Sequence, residues 1–445
     1  MRKASRLLQT VRGGERVERS NPMNKSYPGR PQAGKCPERG PLGTNAKSSA
    51  VDPETGEIDT PDPMAGRVIR FALQSAARYI LPKSRTAKCL RLRAYNADGL
   101  ADVQVWKSRE FGTTNFRGLQ TCGSVWACPV CAAKIAERRR AELVAAMAAH
   151  KAGGGLVNML TLTTPHQRTD NLAELLGKQK KALASFWADF TVKSVMKAMG
   201  TIGQVRALEV THGRLSPQNN GWHPHYHVLL FSGSGVDLAR FDVPQMRDWA
   251  VRLYLRWAAC CVRVGLGEPS FEHGLKLHDG SQAAAYASKW GLEDEMTKGH
   301  TKKAVHGETP FDFLRAFLAD AGDLRAAALF REFAETFKGK RQLFWSPGLK
   351  ARFGLVDLSD DSLADAVEDE CYQLGTIPLA QWRDVLAVDG RANVLALAAT
   401  RGWPGVLAYL VAIKGAGGRG DGKRSAAQRT HSPGSISEAC AEGQS

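Results

Sequence analysis

Three histidines at alternate positions, His223, His225 and His227, stand in the run His-Pro-His-Tyr-His-Val-Leu-Leu-Phe that ends at Phe231. Side chains alternate between faces along a strand, so the three imidazoles share one side. Adjacent imidazoles on one face are costly unless they share a metal ion or stay exposed. Glu209 lies in the preceding run Ala207-Leu-Glu-Val-Thr-His212, which reads as the partner strand of a hairpin. A carboxylate across from two histidines makes a mixed nitrogen–oxygen site with open positions. Such a site suits Mg²⁺ or Mn²⁺ acting on a phosphate, and also Zn²⁺. The bland reading of the same residues is an exposed polar strand face.

A second set of ligands is sulfur. Cys122, Cys128 and Cys131 stand as C-x5-C-P-V-C, followed by the basic run Lys134 to Arg140. The Cys128–Cys131 knuckle has the spacing of tetrahedral zinc sites. Cys89, some 30 residues upstream, is the nearest candidate for a fourth ligand, and Cys36 is the weaker alternative. A structural Zn²⁺ there would fold a region too polar to form its own core. A redox pair is the competing reading, but no thioredoxin-like strand surrounds this CxxC.

A nucleophile is harder to read. In Gln282-Ala-Ala-Ala-Tyr286-Ala-Ser-Lys289-Trp290 the alanines favour a helix, and Tyr286 and Lys289 then share a face. Taken alone, this pair more often marks a packed ring beside a solvated cation. The small alanines allow close approach to another surface while Tyr286 protrudes. Tyr254, in a more apolar helix, competes with it but reads as core.

The elements that must carry these residues alternate. Leu156–Thr164, Ile202–His212 and His223–Phe231 read as strands, the last two joined by the turn residues 214–221. Asn171 to Met199, Pro244–Val264 and Ser281 to Trp290 have helical spacing, and Ser270–His278 is a further strand candidate. Hairpins packed with helices argue an α+β region with a largely antiparallel sheet.

With 445 residues, 43 % of them hydrophobic, the chain has room for two or three domains and is neither wholly disordered nor collagen-like. Nine cysteines are too sparse for a disulfide scaffold. Met1 to Arg19 lack an apolar core, and Arg401 and Pro404 interrupt the most apolar late stretch, so no membrane segment is expected. These features read as a cytoplasmic protein with reduced thiols. By composition the chain divides into an unstructured arm (1–66), a cysteine-rich basic region (67–150), a central α+β region (151–354), an acidic helical region (355–414) and a flexible tail (415–445). The net charge is +17, of which residues 67–150 carry +10 and residues 355–414 carry −5. That basic excess implies a polyanionic partner.

In this order the motifs resemble those of rolling-circle plasmid replication initiators of the His-hydrophobic-His endonuclease superfamily. Leu160-Thr-Leu-Thr-Thr164 resembles the first motif, His225-Tyr-His227 the metal motif, and Tyr286 with Lys289 the nucleophile motif. The cysteine cluster and Phe344-Trp-Ser-Pro-Gly-Leu349 also fit, so the resemblance covers about residues 85–355.

The resemblance implies a five-stranded antiparallel sheet with flanking helices, the histidines on a central strand and the tyrosine on a facing helix. It further implies metal-dependent nicking of single-stranded origin DNA. His225, His227 and Glu209 would hold the divalent metal, Tyr286 would attack the phosphate, and Lys289 would assist. The expected products are a 5′-phosphotyrosine and a 3′-OH that primes the host polymerase, with duplex opening left to a host helicase or supercoiling. Some relatives place a glutamate four residues before the tyrosine; here Gln282 stands there, leaving Glu293, Glu295 or a second nucleophile for termination. A transposase or relaxase of the same chemistry, and a non-catalytic zinc-ribbon DNA-binding regulator, are the alternatives.

Overall fold

The structure, a computed structural model, describes residues 50–51, 58–59, 63–97, 99–233, 243–278, 283–284, 307–365 and 370–417. Tyr286, Lys289 and Gln282 lie outside the described residues, as do Glu293, Glu295, Cys36 and the sequence beyond 417.

The elements used below run in chain order. Helix α1 (Pro63–Ile80) leads to strands β1 (Val103–Ser108) and β2 (Thr114–Arg117), then to the long helix α2 (Pro129–Ala152). Strand β3 (Leu156–Thr163) is followed by helices α3 (Leu172–Ala188) and α4 (Phe190–Ala198). Strands β4 (Thr201–His212) and β5 (Trp222–Ser232) precede helix α5 (Val243–Arg263) and strand β6 (Leu275–His278). Helices α6 (Pro310–Ala319) and α7 (Leu324–Phe337), strand β7 (Leu343–Trp345) and helix α8 (Asp360–Asp365) come next. Strand β8 (Cys371–Ile377) and helices α9 (Leu379–Ala387) and α10 (Arg391–Ala412) end the described chain.

The helical stretch read as continuous from Asn171 to Met199 is two helices. Asp189 breaks it because its carboxylate accepts hydrogen bonds from the Thr191 and Val192 amides and so caps α4. Asn171 caps α3 in the same way through the Ala173 and Glu174 amides.

The main sheet is five-stranded and antiparallel throughout, in the order β6-β3-β5-β4-β7. The histidine strand β5 is therefore central, as the resemblance implied. The sheet is covered on both faces. One face packs Leu160, Leu162, Val228 and Leu230 against α3, α4 and α5 through Leu183, Phe186, Val195 and Trp257. The other packs Met159, Val205, Ala207 and Leu229 against Leu143 and Ala146 of α2 and Leu349. Burial on both sides explains why the far half of β5, Val228 to Phe231, is an unbroken apolar run rather than an alternating one.

Residues after the undescribed segment are tied back to the sheet. His212 and Glu308 exchange backbone hydrogen bonds of 2.8 Å. Arg214 donates to both Glu308 carboxylate oxygens at 2.7 and 2.9 Å and to Asp323 at 2.6 Å.

A second sheet, ordered β8-β1-β2, joins regions that composition separates. Strand β8 belongs to the acidic C-terminal segment, yet it pairs antiparallel with β1 from Cys371 opposite Ser108 to Ile377 opposite Val103. Val103, Val105, Trp382, Val394, Leu395 and Val406 then form one core with Phe71 of α1. This shared burial joins the two segments. Among the described residues, α10 alone is long and apolar enough to cross a membrane. It breaks at Gly402, whose φ is 63°, and buries Val394, Leu395, Val406 and Leu410 in this core.

Leu230 lies at the centre of the main sheet with 0 % exposure. Leu230→Ala is expected to cost about 2–5 kcal/mol, read as a lowered urea midpoint with unchanged slope.

Candidate active site and metal centres

The pairing of β4, β5 and β3 builds the first site. Glu209 lies directly opposite His225 across one pairing, and Thr161 lies directly opposite His227 across the other. Directly opposed residues of antiparallel strands project to the same face. The Glu209 Oε2 atom accordingly sits 3.4 Å from His225 Nε2 and 3.6 Å from His227 Nε2. One ligand atom from each of the three lies within 4.8 Å of the others. The structure thus brings Glu209, His225 and His227 together.

Thr161 sets the orientation of His227. Its hydroxyl lies 3.1 Å from His227 Nδ1, which leaves Nε2 aimed at Glu209. Burial pulls the His227 pKa down to about 4, against the Glu209 carboxylate that raises it, with His225 and His278 lowering it further. The imidazole is therefore neutral near pH 7, with a lone pair free for a metal. His223, on the same face, packs its ring against His225 at 5.1 Å and against His166 at 4.6 Å. Burial, with His225 and His166 beside it, depresses its pKa to about 3. Two nitrogens and a carboxylate with open positions fit a divalent cation that keeps sites for water or phosphate.

Register exposes two residues that sequence reasoning passed over. Thr161 lies within the Leu160–Thr164 motif, whose sequence gives it no role of its own. Lys276 lies opposite Thr161 in the pairing of β6 with β3, so this exposed ammonium shares the histidine face. Only cross-strand pairing carries that signal, and β6 is too short for its register to be read from pattern. Ala283, three residues ahead of Tyr286, is fully buried with Met159 and Leu229 in the core of the same face.

The second site is sulfur. Cys89, Cys122, Cys128 and Cys131 are all buried, and their sulfurs lie within 4.8 Å of one another. Cys89 Sγ is 3.5 Å from Cys131 Sγ and 3.8 Å from Cys128 Sγ, and Cys122 Sγ is 3.6 Å from Cys131 Sγ. These separations are far too long for disulfides, whose sulfurs lie about 2.05 Å apart. A tetrahedron with Zn–S bonds of about 2.3 Å has edges of about 3.8 Å, so the four sulfurs fit zinc. Hydrogen bonding to the other three thiols, and then burial, push the Cys89 pKa well up. A divalent cation would take these four sulfurs as thiolates and offset their mutual repulsion. Gln74 of α1 donates to Cys128 Sγ at 3.2 Å, and Arg391 of α10 donates to Gln74 Oε1 at 2.5 Å. Such outer contacts orient metal ligands.

The basic run beside the cysteines is not a bare cationic surface. Lys134 Nζ donates to the Ala364 carbonyl at 2.5 Å, Arg139 to Asp360 at 3.1 Å, and Arg140 to Glu137 at 2.6 Å. The acidic segment around α8 packs against α2, so these cations meet protein oxygens first. Part of this basic run is therefore held in ion pairs and hydrogen bonds within the protein.

Fold and site together define the class: an α+β protein whose central antiparallel strands carry a two-histidine, one-glutamate cluster beside a four-cysteine knot. Residues 115–236 match the replication protein family. It is 26 % identical over 306 residues to "Protein rep" of Streptomyces lividans, covering 55 % of this chain and 66 % of that one. It is 30 % identical over 149 residues to "Neomycin resistance protein" of Streptomyces cyanogenus, covering 28 % of this chain and 33 % of that one. The chain thus spans just under two thirds of the first relative and a third of the second. No solved structure matches.

The purified protein is expected to contain one tightly held zinc by elemental mass spectrometry, and Cys89→Ser to lower that content and the melting temperature together. Thr161→Val is expected to weaken Mn²⁺ binding about 10-fold or more by calorimetry.

Proposed function

We propose that this chain initiates plasmid replication by nicking one strand of origin DNA through a tyrosine nucleophile. The observation that carries the reading is the convergence of Glu209, His225 and His227, one ligand atom of each within 4.8 Å, on the central strands of the sheet. The replication protein match and the likeness to "Protein rep" support the same biological role.

The site's own residues divide the work. His225, His227 and Glu209 would hold a divalent ion, Mg²⁺ or Mn²⁺, which when bound polarises a scissile phosphate. Thr161 keeps His227 in the tautomer that presents Nε2 to the ligand set. Lys276, on the same face, offers a point charge to a phosphate oxygen. Tyr286 is the proposed nucleophile. The order of the motifs, with Tyr286 and Lys289 after His225-Tyr-His227, supports this. Its phenolic oxygen forms a bond to phosphorus as the P–O3′ bond breaks. The phenol gives up its proton and the departing 3′ oxygen takes one, leaving a 5′-phosphotyrosine and a 3′-OH. Lys289, three residues on in the sequence, would offset charge near the phenolate. The phosphotyrosine conserves the bond energy, so later rejoining needs no ATP.

The four cysteines would hold a structural zinc that anchors α1 and α2 beside the catalytic sheet. The partners in this reading are single-stranded origin DNA, a host helicase and a host polymerase, in the bacterial cytoplasm.

The test is a covalent-adduct assay with full-length protein, Mn²⁺ and oligonucleotides tiled across the cognate origin. Wild type is expected to give a slow-migrating protein–DNA band. Tyr286→Phe is expected to abolish it, and His225→Ala with His227→Ala to reduce it by at least 100-fold. An unchanged adduct in Tyr286→Phe assigns the nucleophile elsewhere. DNA binding without any adduct in the wild type would leave a zinc-ribbon regulator.

A further inference from the structure

The run Phe344-Trp-Ser-Pro-Gly-Leu349 takes no part in the chemistry described above. It begins on β7, the edge strand of the main sheet, which pairs only with β4 among the described residues. Phe344 lies opposite Arg206, and Leu343 opposite Ala207. The Leu208 amide donates to the Gln342 carbonyl at 3.2 Å, which extends the ladder by one residue. Side chains alternate along both strands, so Gln204, Arg206, Gln342 and Phe344 share one face. It is the face turned away from the histidines.

This patch is polar and incompletely satisfied. The Arg206 guanidinium stacks 4.2 Å from the Phe344 ring centroid, and that residue is 37 % exposed at the sheet edge. Arg206 Nε, Gln204 Oε1 and Gln342 Oε1 are buried and meet no partner among the described residues. Buried polar atoms are ordinarily hydrogen-bonded, so three exceptions on one face call for a bound group. No carboxylate opposes Arg206 among the described residues: burial lowers its pKa, and Tyr226 raises it.

The approach to the patch is basic. Lys338, Lys340 and Arg341 stand within four residues just ahead of it, all exposed. Arg341 also faces Asp357, so Lys338 and Lys340 are the cations best placed for an outside anion.

The occupant must bring a flat ring to Phe344, both donors and acceptors to the glutamine oxygens and Arg206, and negative charge to the lysines. Phosphate alone has no ring. An acidic peptide carries its charge on flexible side chains with no ring beside them. A nucleobase on a sugar–phosphate strand supplies all three.

We propose that this β4–β7 edge binds single-stranded DNA. One base stacks on Phe344 and is read by Arg206, Gln204 and Gln342, and neighbouring phosphates meet Lys338 and Lys340. The inference rests on the reading that this protein acts on a DNA strand, but on no step of the nicking chemistry. Because the patch faces away from the histidines, it holds DNA flanking the nick and not the scissile phosphate. Glu209 also stands on β4, so that flanking DNA is one sheet strand from the histidine cluster.

The test uses the zinc-loaded full chain and fluorescence anisotropy without added divalent metal, so that nicking does not enter. The probes are single-stranded origin oligonucleotides and the same sequences carrying single abasic positions. Arg206→Gln and Phe344→Ala are each expected to weaken binding at least 5-fold, with melting temperature and zinc content unchanged. Phe344→Tyr, which keeps the ring, is expected to bind as wild type does, and Phe344→Leu, which keeps only bulk, to weaken binding as Phe344→Ala does. If Phe344→Ala melts lower, Phe344→Leu and Arg206→Gln decide. One abasic position is expected to erase the difference between wild type and Phe344→Leu. Lys338→Gln with Lys340→Gln is expected to flatten the slope of log affinity against log salt by about 1.4, roughly 0.7 for each phosphate contact. These binding effects without any covalent adduct overturn the nicking reading and keep this one. Wild-type affinity in Arg206→Gln, Phe344→Leu and the lysine pair, with the adduct retained, overturns this proposal and keeps nicking. Dimerisation lost in Phe344→Leu with DNA affinity unchanged assigns the edge to a second copy of the chain and also overturns it.

Discussion

The register between β4 and β5 is the constraint on which the site depends. With Glu209 opposite His225, the carboxylate oxygen reaches both imidazoles. A slip of one residue would turn the histidines to the other face and bring Tyr226 and Val228 to the ligand side. Burial on both faces prevents that slip. Leu229 and Phe231 continue the histidine face into the core beneath α2, while Val228 and Leu230 fill the opposite core against α3 and α5. The energy that sets the register comes from the apolar half of β5. The polar half inherits its geometry.

The four-cysteine knot performs a comparable task for the second half of the molecule. It gathers Cys89 from the segment after α1, Cys122 from the loop after β2, and Cys128 with Cys131 from the start of α2. Leu363 and Ala364 of α8 pack on it, and the Arg391–Gln74 relay reaches it from α10. Helix α2 then runs from the knot to the histidine sheet, where Leu143 and Ala146 join the core under β5. One rigid helix therefore links the two candidate metal centres. The basic run on that helix is shared between this linkage and the acidic α8 segment, so part of the +17 balance holds the protein together.

The boundaries of β3, β4 and β5 and the antiparallel α+β architecture were legible in the chain because period-two alternation and β-branched runs are local signals, whereas β1, β2, β7 and β8 were not. The His-x-His spacing and the CxxC knuckle were legible for the same reason. The helical spacing from Asn171 to Met199 does not show the break at Asp189, since a capping aspartate within an apolar pattern leaves little trace. The C-terminal segment reads as a separate acidic region, because composition reports charge while strand pairing with β1 joins residues more than 250 positions apart.

By itself, the sequence determined which chemistries this protein carries: nitrogen–oxygen ligands on one strand, sulfur ligands at zinc spacing, and a tyrosine with a lysine three residues on. Those follow from residue types at short range. The tertiary structure alone decided that Glu209 meets both histidines, that Cys89 completes the sulfur cluster, and that Thr161 orients His227. It also decided that the basic run on α2 is met by protein oxygens before any ligand. Each of these contacts joins residues distant in sequence. They depend on register and on the shared burial of apolar faces, and no local pattern encodes either.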